Sequence, residues 1–595
     1  MRLWLKYGLL AATLTLCGLR LLSGDPSVDG SALLNRPTGQ PEFVDVGTNA
    51  GLTDKFYCGG ETRKDYILET LGNGVALLDF DQDGNQDVFF LTGSRLERWA
   101  DGNPPTNRLY RNEGNGKFVD VTQGAGLNRS GWGQGACVGD YDNDGWDDLF
   151  LTYFGSSVLY RNREGRRFEE VTEKAGLLAR SPRWATGCAF VDYDRDGRLD
   201  LFIANYVDFQ IAETPKPGDG KYCQWRGIPV MCGPRGLKGG VNQLFHNEGG
   251  GRFRDVSLAS RISDPGERYS LSVTTLDYDR DGWPDIYVAV DSQPSLLFHN
   301  LKDGSFQETG LAAGAAVRED GREQAGMGSA AGDFDGDGYQ DLLKTNFISD
   351  VPNLYRNNRD GTFSDWVYSA GLGIHKKYLG WGAAFLDYDN DALLDVMMVN
   401  GHVYPEVESK FPEESYKQSR LLFRNVGNGR FADVSLQAGS ALAERHASRG
   451  LAIGDFDNDG DLDLFITNMN AAPSLLRNDG GNASNFISLR LVGTRSNRNG
   501  IGAVVKLTAG GRVQSAEVRS GSSFMSQSDL RLHFGLRRWT QADTIEIAWP
   551  SGLAETLHNL PANHFVTVIE GQGVTGNRPR AAQPIPPASS GVASP

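Results

Sequence analysis

Short runs of apolar and β-branched residues alternate with polar, glycine-rich turns along most of the chain, and no strong amphipathic helical period competes with them. A run of small and apolar residues, such as 74–78, 135–139 or 382–386, precedes an acidic turn, and a β-type run such as 88–91 or 464–467 follows it. Both predict strands. A second signature comes next: Leu109-Tyr110-Arg111-Asn112 leads through Gly114 and Gly116 to Phe118-Val119-Asp120-Val121, with copies beginning at Leu159, Leu244, Leu297, Leu354 and Leu422. Glycine adopts positive φ at little cost, so these turns predict hairpins. Each unit is therefore four short strands.

The acidic turn is a nine-residue pattern, Asp-aromatic-Asp-x-Asp-Gly-x-x-Asp, starting at Asp79, Asp140, Asp192, Asp277, Asp333, Asp387 and Asp455. The starts lie 61, 52, 85, 56, 54 and 68 residues apart, the period of a solenoid or a propeller. Four strands in each of seven units predict an all-β fold, a seven-bladed β-propeller over residues 43–480. Phe43-Val44-Asp45-Val46 repeats the final-strand signature ahead of the first turn, so strands from both ends of the array should close the ring.

Positions one, three, five and nine of every turn are aspartate. The candidate metal ligands are Asp79, Asp81, Asp83 and Asp87; Asp140, Asp142, Asp144 and Asp148; Asp192, Asp194, Asp196 and Asp200; Asp277, Asp279, Asp281 and Asp285; Asp333, Asp335, Asp337 and Asp341; Asp387, Asp389, Asp391 and Asp395; and Asp455, Asp457, Asp459 and Asp463. Without a counter-charge such clusters repel strongly. Position seven (Asn85, Trp146, Arg198, Trp283, Tyr339, Leu393, Asp461) shares only a main-chain carbonyl. Alternate carboxylates with one carbonyl suit calcium, which takes six to eight oxygens, better than magnesium, which keeps more water. An EF-hand is excluded because its bidentate glutamate at position twelve is replaced here by Phe90, Leu151, Ile203, Val288, Lys344, Met398 and Ile466. Position two is always Phe or Tyr and position ten always Val, Leu or Ile, residues that pack and do not bind. Calcium is expected mainly to brace the fold. The sixth turn should hold it most weakly, because Ala392 replaces the turn glycine.

The formal charge is −16, with 59 Lys plus Arg against 75 Asp plus Glu, which makes nucleic acid an unlikely partner. Arg2 and Lys6 precede an apolar stretch, residues 7–19, that Arg20 interrupts, and residues 1–24 read as a signal peptide followed by a linker, 25–42. A signal anchor and a lipoprotein box at Cys17 are alternatives, and all three export the chain to a secreted or cell-envelope location. No membrane span is expected in the mature chain. Removing Cys17 leaves Cys58, Cys137, Cys188, Cys223 and Cys232, an odd number, in an oxidising compartment.

The acidic turns resemble the FG-GAP or VCBS-type repeats of integrin alpha-chain propellers, whose loops hold calcium. Residues 485–571 resemble the ASPIC/UnbV domain through Ser496-Asn497-Arg498-Asn499-Gly500-Ile501-Gly502-Ala503, the run from Ser520 to Gln527, Leu532-His533-Phe534-Gly535-Leu536 and Trp549-Pro550-Ser551-Gly552. Together they are similar to the cartilage acidic protein family and its bacterial relatives, which implies a secreted calcium-binding protein without one agreed activity. Ala392 departs from the repeat, and the chain lacks Arg-Gly-Asp. Read from its residues alone, 485–571 is a small all-β module, with strands at 486–492, 503–508 and 544–549, and the proline-rich stretch 572–595 is a disordered tail.

The wide spacing between the third and fourth turns hides an insert, about 208–240, in which Cys223 and Cys232 could form a disulfide or stay free. Tyr222, Trp225, Arg226 and Arg235 beside them either form a recognition surface or cover the propeller mouth. Cys137 and Cys188 read as buried small residues, and Cys58 has no assigned role. No nucleophile elbow, zinc motif or phosphate loop is present, so His402 is the leading but weak catalytic candidate, ahead of His446 and His533. Two functions follow: an exported calcium-braced scaffold for binding or adhesion to a protein or glycan, or an enzyme on a carbohydrate or secondary metabolite with its site at the propeller face.

Overall fold

The computed structural model describes residues 40–580 except 98, 100–101, 179–182 and 412–413. The signal peptide, nearly all of the linker and the end of the tail lie outside the described residues. Seven four-stranded antiparallel units follow one another, and their first strands are Val75–Leu78, Trp132–Gly139, Arg183–Val191, Ser270–Leu276, Gly326–Gly332, Gly380–Leu386 and Ser448–Gly454. Each of these strands packs on the first strand of the next unit, and the seventh packs on the first. That ring is a seven-bladed propeller. Glu42–Asp45 pairs antiparallel with Ser474–Asp479 as the outer strand of the last blade, so both chain ends close the ring. Residue 42, assigned to the linker from sequence, already belongs to this strand.

Neighbouring blades are joined at the acidic turns. The aromatic at position two lies under the outer-strand Phe of the next blade, as in Phe80 with Phe168, Tyr193 with Phe306 and Tyr388 with Phe43, at centroid distances of 6.3, 5.8 and 6.3 Å. The carbonyl of the same residue accepts the amide of an asparagine in the next blade. Asn162 donates to Phe80, Asn247 to Tyr141, Asn300 to Tyr193, Asn357 to Tyr278, Asn425 to Phe334, Asn478 to Tyr388 and Asn112 to Phe456, all at 2.7–2.9 Å. These asparagines end the Leu-Tyr-Arg-Asn signature or its variants, and all are buried.

The C-terminal module is two four-stranded sheets packed face to face. One holds Leu532–Arg537, Asn485–Val492, His564–Ile569 and Gly573–Pro579, with Asn485–Val492 and His564–Ile569 parallel; the other holds Arg512–Glu517, Val504–Ala509, Gln541–Ala548 and Ala554–Pro561. The expected disordered tail from 572 is thus corrected. Gly573–Pro579 pairs with His564–Ile569, Val574 packs on the module core, and Arg578 lies over the Phe565 ring. A polar strand suffices at a sheet edge, where only its backbone and one face need partners.

The module drives a loop into the propeller axis. Inner strands expose unpaired N–H and C=O groups to the channel, and this loop satisfies them. Ser523 exchanges backbone hydrogen bonds with Ser329, Met525 accepts from Ala136, Gln527 exchanges with Val75 and Leu77, and the Ser520 and Ser523 hydroxyls accept from Phe190 and Ala383. At its tip Phe524, fully buried, meets Trp381 at 4.7 Å. One apolar cluster continues from Phe524 and Met525 through Trp184 and Trp381 to Phe209, Val230 and Met231 of the insert and Val403 and Val407 of the sixth blade. The tip of the loop is thereby continuous with the core beneath the insert.

We expect Asn300→Ala, which strips donors from the Tyr193 and Pro284 carbonyls, to destabilise the protein by about 2 kcal/mol. Ser305→Ala on an exposed turn should cost under about 0.5 kcal/mol. Denaturation midpoints of the two variants check this.

Candidate metal centres and the face beneath the C-terminal module

Most acidic turns share the same internal bonds, although Asp79 Oδ1 in the first and Asp391 Oδ1 in the sixth stay unpartnered. In the second turn, Asp140 accepts the N–H groups of Asp144 and Gly145 at 3.0 and 2.7 Å, and Asp144 accepts that of Trp146 at 3.1 Å. Asp148, at position nine, accepts Tyr141 N–H and the N–H of Asn162, at 3.3 and 2.7 Å. The pairing of position nine with that asparagine recurs in all seven blades. One residue type therefore ties its own turn to the turn of the preceding blade. Sequence reading noticed the signature as a strand marker and missed this role. The clue was an invariant amide at the end of an apolar strand.

Position three is different. In the second, fifth and sixth turns its outer oxygen meets the cation of the same signature, Arg161 with Asp142 at 2.7 Å, Arg356 with Asp335 at 2.6 Å and Arg424 with Asp389 at 2.7 Å, whereas Arg111 and Arg477 pair instead with Glu113 and Asp479. In the third and fourth blades His246 and His299 take that place, at 3.4 and 3.6 Å from Asp194 and Asp279. The inner oxygen, Oδ1, is buried without a hydrogen-bond partner at Asp81, Asp142, Asp194, Asp335, Asp389 and Asp457, six of the seven turns. Groups of three carboxylates whose oxygens lie within 4.8 Å of one another include Asp79, Asp81 and Asp87; Asp140, Asp142 and Asp148; and Asp192, Asp194 and Asp196. Burial first, then the charges of Asp200, Asp196 and Asp194, pushes Asp192 up to about 8. Burial also lifts Asp87 to about 9 against the hydrogen bond from Asn112. Taken alone, the cages resist holding their full negative charge.

The sixth turn, in which Ala392 replaces the glycine, keeps the form of the others. At φ 64° Ala392 donates to Asp387 at 2.8 Å, the bond glycine makes in the other turns, and a left-handed alanine carries strain of about 1 kcal/mol.

The C-terminal module lies over this face. Asn499 accepts Asp140 N–H and donates to Asp147, both at 2.6 Å, and Asn143 accepts Arg498 N–H at 2.9 Å. Arg531 reaches the Asp455 carbonyl, and Gly535 sits where a β carbon would lie 2.0 Å from Asp387 Oδ2. Glu570 organises the contact loop by accepting the N–H groups of Thr494, Arg495 and Ser496 at 2.8, 2.7 and 2.8 Å, together with the Ser496 and Ser551 hydroxyls. Burial opposes its ionisation, but these donors hold it at about 2. Sequence reasoning missed Glu570, which stands outside every quoted motif.

The histidine candidates do not converge. His402 is fully buried, its Nδ1 accepts Tyr404 N–H at 3.0 Å, and burial drops it to about 3, so it is neutral. No carboxylate contacts its ring among the described residues. His533 bonds Asn390 at 2.6 Å and stacks on Phe486. His446 lies at the edge of a bridge to Gln418, and burial lowers it to about 4. Cys223 and Cys232 are bonded, while Cys58, Cys137 and Cys188 are buried and free. Within the insert, Trp225 packs inward on Phe347, His402 and Tyr404 and donates to Glu414, which also pairs with Arg226. Of the two alternatives for this insert, covering the mouth describes Trp225, which is turned inward, while Arg226 and Tyr222 remain exposed.

Comparison with known proteins matches this architecture. The model of the FG-GAP-like repeat fits residues 79–151, 140–203, 231–288, 277–344 and 415–466, and that of ASPIC and UnbV fits residues 493–575. The chain is an FG-GAP-like repeat protein with a C-terminal ASPIC/UnbV domain. The gaps between the FG-GAP matches contain residues 208–230 of the insert and the turn with Ala392. Cartilage acidic protein 1 of Mus musculus is 26% identical over 514 residues, 81% of this chain and 71% of its own length; that of Homo sapiens is 25% identical over 533 residues, 84% and 72%. Among solved structures, an Agrocybe aegerita lectin that recognises non-reducing terminal N-acetylglucosamine aligns with 69% of this chain and 96% of its own at 14% identity, with a TM-score of 0.36. BBS1N in its complex with ARL6DN aligns with 70% and 92% at 9% identity, with a TM-score of 0.37. No helix among the described residues is long and apolar enough to cross a membrane.

Glu570 yields a signed pH effect in this FG-GAP-repeat protein. Its depressed ionisation adds stability that is present above about pH 4.5 and is lost as pH falls toward 2. Glu570→Gln should cost about 2 kcal/mol at neutral pH, and the gap between variant and wild-type denaturation midpoints should shrink steadily below pH 4.5.

Proposed function

We propose that the seven turns hold calcium and that the chain is an exported, calcium-braced scaffold that binds a protein or glycan. The orphaned Oδ1 at position three carries this reading, because a buried carboxylate oxygen without a donor is costly and a cation resolves it. The residues that would hold the ion are the aspartates at positions one, three, five and nine, with the carbonyl at position seven. An all-oxygen, carboxylate-rich donor set favours calcium. When bound, the ion supplies charge neutralisation. The chain's own residues supply the mechanics: position two and the asparagine of the next blade transmit the stiffness of each turn around the ring. Support for export comes from the apolar leader, the bonded Cys223 and Cys232 and the similarity to cartilage acidic proteins.

Thermal melting with calcium and with chelator tests the reading. A ligand that binds only the folded chain stabilises it by mass action, about 2.7 kcal/mol for each site at a hundredfold excess over Kd. Calcium should therefore raise the melting temperature by several degrees and chelator should reverse the rise, whereas a melt indifferent to both would defeat it.

A further inference from the structure

Between the outer face of one C-terminal sheet and the first two acidic turns lies a cavity of about 510 Å³, within the range of small-molecule sites. We propose that it binds a sugar acid, a ligand with one carboxylate and several hydroxyls; the assignment rests on the reading of the turns as cation sites.

Two guanidinium groups recommend an anion. Arg490 lies on Asn485–Val492 and faces the cavity, while its neighbours Leu489 and Leu491 enter the module core. It makes no hydrogen bond or ion pair among the described residues, and its charge acts at a distance on Asp79 and Asp147. Arg578 projects from Gly573–Pro579, rests 5.2 Å from the Phe565 ring centroid and likewise lacks an ion pair. The five acids that share the cavity have other partners: Asp79 and Asp83 accept turn N–H groups at 3.1 and 2.8 Å, Asp140 accepts those of Asp144 and Gly145, Asp147 accepts Asn499, and Asp529 pairs with Arg531 at 2.6 Å, with only Asp79 Oδ1 left over. Once the first turn commits its carboxylates to a cation, two arginines remain to clamp a carboxylate, for which the guanidinium fork is suited.

An anion alone does not complete the site. Gln86 lines the same cavity, is 7% exposed, and its Oε1 is buried without a donor. A buried acceptor of this kind calls for a donor, and a sugar hydroxyl supplies one where a simple oxyanion does not.

Calorimetric titration of the calcium-loaded full chain with glucuronate, glucose and inorganic sulfate tests the proposal. Glucuronate should saturate a single site, with glucose and sulfate at least about tenfold weaker. The double variant Arg490→Gln, Arg578→Gln should lose about tenfold or more of the glucuronate affinity, and Gln86→Leu a smaller factor, while both keep the wild-type calcium response on melting. That response, read on the same samples, separates failure of this site from failure of the cation reading. No saturable glucuronate binding by a protein that does respond to calcium, an unchanged affinity in the double variant, or sulfate binding as well as glucuronate would overturn it.

Discussion

Like charges cannot be gathered and buried unless something offsets them, and this fold does so seven times. Each acidic turn brings four carboxylates together, several of them fully buried, and hydrogen bonds from the turn's own backbone satisfy only part of their oxygens. The oxygen that points inward from position three is left over in six turns. The proposed divalent cation would answer that geometry and also the burial and repulsion that push Asp192 up to about 8.

The turns matter because they are also the joints of the ring. A propeller blade is a small sheet with two edges and little core of its own, so its stability lies in the contact with its neighbours. Here that contact is built from the turn itself, through an aromatic side chain against the next blade and a carbonyl that accepts the next blade's asparagine. Stiffening one turn therefore stiffens two blades. The C-terminal module completes the arrangement from the axis, where its serine-rich loop occupies the inner edges that a bare ring would leave unpaired. The tip of that loop, Phe524 and Met525, joins the apolar cluster that runs through the inner strands.

Much of this was legible in the sequence, because the period of two in strands and the sevenfold aspartate pattern are local signals repeated many times. The packing role of position two and the closure by residues at both ends were readable for the same reason, while the spacing of Cys223 and Cys232 left a disulfide and free thiols both open. What was hidden depends on distant partners. Phe524 and Met525 look like part of a serine-rich turn until the channel is seen around them, and Glu570 acquires its role only from the loop at Thr494–Ser496 (residues far apart in the chain). The choice for Trp225 between a recognition surface and a cover stays open in the sequence because nothing local shows Phe347 and Tyr404 beneath it. The strand at Gly573–Pro579 reads as tail because an edge strand needs little apolar pattern.

Anomalous diffraction from crystals grown in calcium tests the central claim most directly. The account predicts a peak inside the acidic turns, ringed by the carboxylates of positions one, three, five and nine, with the sixth turn the least occupied. Turns empty of any peak at saturating calcium, with their aspartates rotated out to solvent, would contradict it.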